Sequence, residues 1–334
     1  MSDNSITVRF WGVRGSIPAP LTIQSLQQKL VGALRTAQRS APPQAASDED
    51  LLRWMEENLD FCVHSTIGGN TTCVEVRCDD ALIILDMGSG IRALGMALVP
   101  EILKNKRLYG TILQSHVHWD HIQGLPFWAP LYMPRENFDT RFSFYGGKDW
   151  DKKLEGVLRM QMRPPYFPVP WGEIEQVALQ MKFFSVCDGK TFLLTSARAP
   201  IKVTCRKLNH PQETFGYRIE YCGKVLAFCT DHEPYPALHR GLVDLAQQAD
   251  IFVTDCQYSY DEYCGKKCVP KLGWGHAFPK YIAEVAATAQ PKLVVTTHHD
   301  PESSDAHIVA LAREIEELSS VRTIPAYEGL QLQC

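Results

Sequence analysis

The stretch Ser115-His116-Val117-His118-Trp119-Asp120-His121 sets three histidines and a carboxylate within six residues, directly after GTILQS (110–115), a short apolar run of β-rich composition. His116 and His118 stand two apart on extended backbone, so they point the same way and can hold one ion. Asp120 and His121 project differently and can reach a second. Imidazole and carboxylate suit zinc, and also manganese or iron, and no thiolate lies in the cluster. A lone histidine after a strand is ordinarily a polar-loop side chain. Four ligand-type groups at this spacing are costly to bury without a metal or proton partners.

Further apolar runs surround this one: ITVRFW (6–11), CVEVRC (73–78), ALIILD (81–86), RFSFYG (141–146), IKVTCRK (201–207), KVLAFC (224–229), IFVTD (251–255) and KLVVTT (292–297). Helical periodicity falls between them at 23–36, 48–59, 152–161, 280–289 and 305–318. Strands and helices mixed in this way predict an α/β chain built in layers. Two segments read as insertions in one domain spanning 1–334. The first, about 20–65, carries two helical patterns around the linker RSAPPQAAS, with Ser47 and Asp50 as a capping box before the second; it is a candidate cover for an active-site mouth or a homodimer contact. The second, about 148–175, contains RMQMRPPYFPVPWGE (159–173), where prolines exclude regular structure and Tyr166, Phe167 and Trp171 supply large anchors. It reads equally as a pinned surface loop and as a wall over a pocket.

Composition narrows the function classes. With 334 residues, 45% hydrophobic and 22% charged, the chain can bury a large core. A formal net charge of -4 gives no overall reason to bind a long polyanion. Eleven cysteines, an odd number, do not form a secreted disulfide framework. Cys264 and Cys268 can share a metal, but no second pair completes a zinc site. No window approaches 18 uninterrupted apolar residues and MSDNSITVRF lacks the regions of a signal peptide, so a cytoplasmic protein without membrane association is expected.

HVHWDH resembles the HxHxDH signature of the metallo-β-lactamase fold superfamily, and the resemblance continues along the chain from about Thr7 to Asp305, the two insertions excepted. LNHPQETFGYRIEYCGKVLAFCTD (208–231) is similar to the ribonuclease Z segment in which a histidine ligand precedes a Gly-Tyr strand and a hairpin ends in a bridging aspartate. ADIFVTDCQY (249–258), GWGHAFPKYIAEVA (273–286) and VVTTHHD (294–300) follow in the same family's order, and LIILDMGSG (82–90), ahead of HVHWDH, matches its Asp-x-Gly turn. The resemblance implies an αββα sandwich, two mixed β-sheets flanked by helices, with two divalent metals at one edge.

It also implies a ligand set. One ion would be held by His116, His118 and His210, a second by Asp120, His121 and His298, with Asp231 bridging. His299 is the rival for the last place; His298 is preferred because it directly follows VVTT. Asp86 can hydrogen-bond a ligand imidazole and set its tautomer, or simply cap its turn. A histidine supported by an acid serves as proton donor in ribonuclease Z-like enzymes, and the matching pair is His276 and Asp255; the simpler reading of His276 is a helix cap. The catalytic residues so implied are His276, Asp255 and the ligand Asp120. Where the family usually has Ser or Thr after that histidine, this chain has Ala277, which removes a hydroxyl.

Within the superfamily, the Gly-Tyr hairpin, the acidic strand end and GWGHAF point to the phosphodiesterase branch. His118 stands where flavodiiron oxidoreductases carry Glu. The basic arm that clamps transfer RNA has no counterpart here, and the aromatic, proline-rich insertion suits a base or small ring. The expectation is a dinuclear phosphodiesterase acting on a small phosphodiester such as a cyclic nucleotide, with long nucleic acid disfavoured as a partner. The alternatives are a ribonuclease Z-like RNA 3′-end endonuclease and a metal-bearing sensor without turnover.

Overall fold

In the computed structural model, which describes residues 4–43, 47–148, 153–234, 237–266 and 268–334, two seven-stranded sheets lie face to face. The N-terminal half builds β1 (Ile6–Gly12), β2 (Cys73–Cys78), β3 (Ala81–Leu85), β4 (Arg107–Leu113), β5 (Asp139–Gly147) and β6 (Gln180–Val186). The second sheet takes β7 (Thr191–Leu194), β8 (Ile201–Leu208), β9 (Thr214–Tyr221), β10 (Lys224–Cys229), β11 (Ile251–Asp255), β12 (Val294–Thr297) and β13 (Thr323–Pro325), and β14 (Gln331–Gln333) returns to the edge of the first.

Each sheet is half antiparallel and half parallel. Pairs β2/β3 and β9/β10 are antiparallel, whereas β3/β4/β5/β6 and β10/β11/β12/β13 run parallel. The parallel strands β3 and β11 are buried on both faces, which is why ALIIL and IFVTD read as unbroken apolar runs instead of alternating ones. Because β8 pairs antiparallel with β9 and β9 with β10, β8 points the same way as β10. The carboxyl ends of β8, β10, β11 and β12 therefore open on one edge of the second sheet, and those of β3 and β4 share an edge of the first.

Between the sheets, Val8, Val76 and Ile83 meet Val203, Ile219, Phe228 and Val295 in the main core. A second core lies outside the second sheet beneath α7 (Arg240–Ala246), α9 (Pro279–Ala289) and α10 (Asp305–Ser319). The helices before these are α1 (Ile23–Arg39), α2 (Asp48–Asn58), α3 (Phe61–His64), α4 (Ile91–Asn105), α5 (Lys153–Gln161) and α6 (Trp171–Val177), and α8 spans Tyr260–Tyr263. Every sequence-read strand and helix is found with small changes of boundary. Of the linker RSAPPQAAS, residues 44–46 lie outside the described residues, as does Lys152 at the expected start of α5. Ser47 and Asp50 form the capping box of α2.

The sequence reading did not single out α3, α4, α6, α7, α8, β6, β7, β13 or β14. α4 contains Pro100 and starts from Gly90 without a side-chain cap, so its start carries no signal although its buried residues keep helical spacing. β6 is an edge strand whose exposure does not alternate.

The first insertion is anchored by Lys29. Its ammonium donates to the Cys62 and Ser65 carbonyls at 2.6 and 2.7 Å and to Asp305 Oδ2 at 2.6 Å, joining α1 to α3 and to the first turn of α10. α1 itself buries none of its residues and leaves Ile23, Leu26, Leu30 and Leu34 exposed. The second insertion does contain helix on both sides, α5 ending at Gln161 and α6 starting at Trp171, and the proline-rich 162–170 between them is irregular.

Candidate metal centre

Strand ends set the ligands. His116, His118, Asp120 and His121 leave β4 in a loop that closes in one 3₁₀ turn, Trp119–His121, and the loop is tied across the sandwich by Phe215 N–H donating to the Ser115 carbonyl at 2.9 Å. His210 follows β8, Asp231 follows β10 and His298 follows β12. Asp86, Asp231 and His298 all have φ between 54 and 62°. Left-handed backbone is unfavourable for residues other than glycine, and its occurrence just after three strands marks conformations imposed by the surroundings.

The seven residues named from the sequence come together in two groups. His116, His118, His210 and Asp231 have ligand atoms within 4.8 Å of one another, and so do Asp120, His121 and His298. Asp231 divides its oxygens between them: Oδ2 lies 3.5 Å from His116 Nε2 and 4.0 Å from His210 Nε2, while Oδ1 lies 3.3 Å from both His121 Nε2 and His298 Nε2. Asp120 Oδ2 faces His298 Nε2 at 3.1 Å and also accepts from the Ser16 backbone N–H at 2.8 Å. His299 points elsewhere, its Nε2 lying 3.1 Å from the Ala326 carbonyl.

The proton count fits metal. His121 Nδ1 is 2.8 Å from Asp86 Oδ2 and His210 Nδ1 is 2.9 Å from the Gly275 carbonyl; both partners only accept, so each Nδ1 carries a hydrogen and, in the neutral ring, each Nε2 presents a lone pair. Ser115 Oγ spends its one hydrogen on Asp86 Oδ2 at 2.7 Å and so accepts from His116 Nδ1 at 3.0 Å, which leaves His116 Nε2 as a lone pair too. These lone pairs converge. His116 Nε2 and His210 Nε2 stand 3.0 and 3.1 Å from the same His118 Nδ1, and His121 Nε2 stands 3.1 Å from His298 Nε2. Neutral imidazoles cannot satisfy so many acceptors facing one another; a cation in each group can.

Electrostatics agree. Burial, reinforced by the neighbouring His121, holds His116 well below the ordinary imidazole pKa, and burial lowers His210 to about 4. Burial also works against charge on His121, but Asp231, Asp120 and Asp86 outweigh it and raise its pKa. The same carboxylates Asp231 and Asp120 raise His298 against its burial. The second group thus carries buried negative charge that a proton or a cation must neutralise.

Beside the two groups, His276 Nδ1 is 2.7 Å from Asp255 Oδ2, and its ring stacks on His298 with centroids 4.9 Å apart. His276 does not cap the helix: α9 begins at Pro279 after the cap residue Phe278. Glu233, not singled out in the sequence, closes the wall. Its carboxylate accepts from Tyr263 Oη at 2.8 Å and from the backbone of Gly273 at 2.6 Å and Gly275 at 3.2 Å. Its own N–H donates to the Asn209 carbonyl at 2.7 Å. One residue, through its carboxylate and its backbone N–H, thereby ties the segments bearing Asp231, His210 and His276. Gly275 must be glycine here: its φ is +92°, and a Cβ would lie 2.2 Å from His210 Nδ1.

A cavity of about 610 Å³ beside Tyr109, Arg141 and Leu193 has no such donor set in its lining. Among the described residues Cys264 and Cys268 join neither ligand group.

Residues 83–299, which span Asp86 to His298, match a family model described as the β-lactamase superfamily domain. The chain belongs to the β-lactamase superfamily. Its two mixed sheets with flanking helices are the αββα sandwich of the metallo-β-lactamase fold. A superfamily relative, ribonuclease Z of Thermosynechococcus vestitus, is 24% identical over 238 residues, 56% of this chain and 52% of that protein. The chain thus spans about half the length of the curated relative it matches. Among solved structures, the metallo-β-lactamase fold protein YhfI from Bacillus subtilis aligns with a TM-score of 0.60 at 14% identity over 99% of this chain and 100% of that one. A diphosphatase of the PhnP family gives 0.58 at 17% over 98% and 97%, and human tRNase Z, short form, 0.56 at 16% over 98% of each. At these identities the structural likeness is one of fold.

Proposed function

We propose that the protein is a dinuclear metal-dependent phosphodiesterase that hydrolyses a small phosphodiester, cyclic nucleotides among the candidates. The observation that carries this reading is the division of Asp231 between two ligand groups, with the His276 and Asp255 pair alongside. The ions would be held by His116, His118 and His210, and by Asp120, His121 and His298, with Asp231 shared. The donor set suits zinc first, and manganese or iron. Such a pair supplies an acidified water and neutralises charge on a phosphoryl oxygen.

The chain's own groups do the remainder. Asp86 and Ser115 fix the tautomers of His121 and His116, so that lone pairs face inward. Asp255 accepts the His276 Nδ1 hydrogen and stabilises the imidazolium, which leaves Nε2 to deliver a proton to the departing alkoxide. Ser16 N–H holds Asp120 in place.

A second reading, RNA 3′-end hydrolysis, draws support from the ribonuclease Z relative. Against it stand the net charge of -4 and the lack of a basic arm in the sequence. Among the described residues no helix is long and apolar enough to cross a membrane. The test is hydrolysis of bis(p-nitrophenyl) phosphate by protein carrying both ions, as zinc or manganese. Turnover is expected; its absence with either metal favours a metal-bearing sensor. Comparing cyclic AMP, cyclic GMP, cyclic dinucleotides and a precursor transfer RNA then sets substrate size, and a strong preference for the RNA overturns the small-substrate reading.

A further inference from the structure

Next to the metal ligands, four aromatic rings meet around a cavity of about 520 Å³: Trp119, Phe127, Tyr166 and Phe167. Trp119 sits between the ligands His118 and Asp120, one from each group, and the two tyrosine and phenylalanine neighbours Tyr166 and Phe167 come from the proline-rich insertion. Three of the rings are mostly in water, Trp119 at 73%, Phe127 at 60% and Tyr166 at 84% exposure. Large aromatics left this exposed in one place mark an interaction surface. Phe127 and Phe167 pack edge to face at 5.7 Å, which gives the cavity a settled wall.

The polar groups lining it are two amides, each braced to the ligand loop. Gln123 Nε2 donates to Thr71 Oγ1 at 3.0 Å, and Thr71 Oγ1 donates in turn to the Asp120 carbonyl at 2.6 Å. Gln161 Nε2 donates to the Ile122 carbonyl at 3.2 Å. Neither amide oxygen accepts a hydrogen bond among the described residues. No charged side chain is in the described lining. Rings for stacking, amide oxygens for an exocyclic amine and an absence of charge fit a planar heterocycle and disfavour a sugar-only or anionic group.

We propose that this cavity is the subsite that stacks the nucleobase of the phosphodiester while its phosphoryl group lies at the metal centre. This rests on the phosphodiesterase reading and adds to it the substrate class, a nucleotide. Trp119 and Tyr166 provide the stacking faces, and Gln161 and Phe167, from the same proline-rich segment as Tyr166, form the wall that sets base preference.

The test is calorimetric binding of AMP and of ribose 5-phosphate, which share a phosphate and differ by the base, to protein carrying its metals. Wild type is expected to bind AMP about 10-fold tighter or more, a factor equivalent to ~1.4 kcal/mol. Tyr166→Ala, at a ring that is almost wholly in solvent, and Trp119→Ala are each expected to reduce that ratio to about 2-fold. Equal affinity for the two ligands in wild type, or a ratio unchanged in both variants, overturns the proposal. Base preference with no hydrolysis of bis(p-nitrophenyl) phosphate leaves the subsite standing and removes the phosphodiesterase reading; hydrolysis without base preference does the reverse.

Discussion

Asp86 Oδ2 lies 2.8 Å from His121 Nδ1 and 2.7 Å from Ser115 Oγ, and the serine oxygen in turn lies 3.0 Å from His116 Nδ1. One buried carboxylate thus orders an imidazole in each ligand group. Asp86→Asn keeps a residue that tolerates the left-handed backbone at φ 62° but can turn a donor toward either partner. The variant is expected to bind metal about 10- to 100-fold more weakly at both positions, as read by titration against a chelator of known affinity. Loss from one position only contradicts the shared role.

His276→Ala removes the proposed proton donor and its stacking contact with His298 but none of the seven proposed ligands. Its kcat/KM is expected to drop by about 10²- to 10⁴-fold for a diester with an alkoxide leaving group and far less for p-nitrophenolate, which departs without help. A plot of rate against leaving-group pKa checks this, and equal losses on both substrates refute the donor role.

Glu233 gathers three donors from the segment 263–275 and touches neither substrate nor a ligand's coordinating atom. Glu233→Gln replaces one accepting oxygen by an amide that faces those donors, at a cost of ~1–3 kcal/mol in equilibrium denaturation. Because Gly275 and His276 hang from this clamp, the variant is also expected to steepen the leaving-group dependence toward that of His276→Ala. A lowered denaturation midpoint with an unchanged dependence assigns Glu233 a purely structural part.

His239 caps α7, its Nδ1 accepting from Leu242 N–H at 3.2 Å. Burial, followed by the charge of Arg206, lowers its pKa below the ordinary value of 6.5. The unfolded chain therefore binds the proton first as pH falls, and the cap's contribution, present above about pH 6.5, is lost below it. Denaturation midpoints measured at neutral and mildly acidic pH should differ less in His239→Asn, which keeps a capping acceptor that does not titrate, with about 1 kcal/mol at stake. An unchanged difference removes His239 from the account.

The site's local part was legible and its long-range part only through motif order. Four ligand-type side chains lie within six residues on a strand end, where backbone period dictates direction, and Asp86 was readable as a polar residue on a glycine-rich turn. His210, Asp231 and His298 carry no local mark; their order along the chain named them, and the sheet edges bring them together. The bridging place of Asp231 came with that order, whereas which of its oxygens faces which histidines depends on the approach of two sheets. Ser16, Ser115 and Glu233 escaped for the same reason, since each works through one hydrogen bond or a few bonds to residues chosen by the fold. Among the elements, helical period found α1 and α2 although neither buries a residue, whereas α4, with an internal proline and no side-chain cap, went unread although its buried residues keep helical spacing, and the edge strands β6 and β7 alternate poorly.

The central claim is that seven side chains hold two cations sharing Asp231. Metal content per chain, measured by plasma mass spectrometry after loading with zinc and removal of excess by dialysis, tests it most directly. The account predicts about two equivalents in wild type and about one in His210→Ala and in His298→Ala. Saturation of the wild-type chain at one equivalent, or at none, contradicts it.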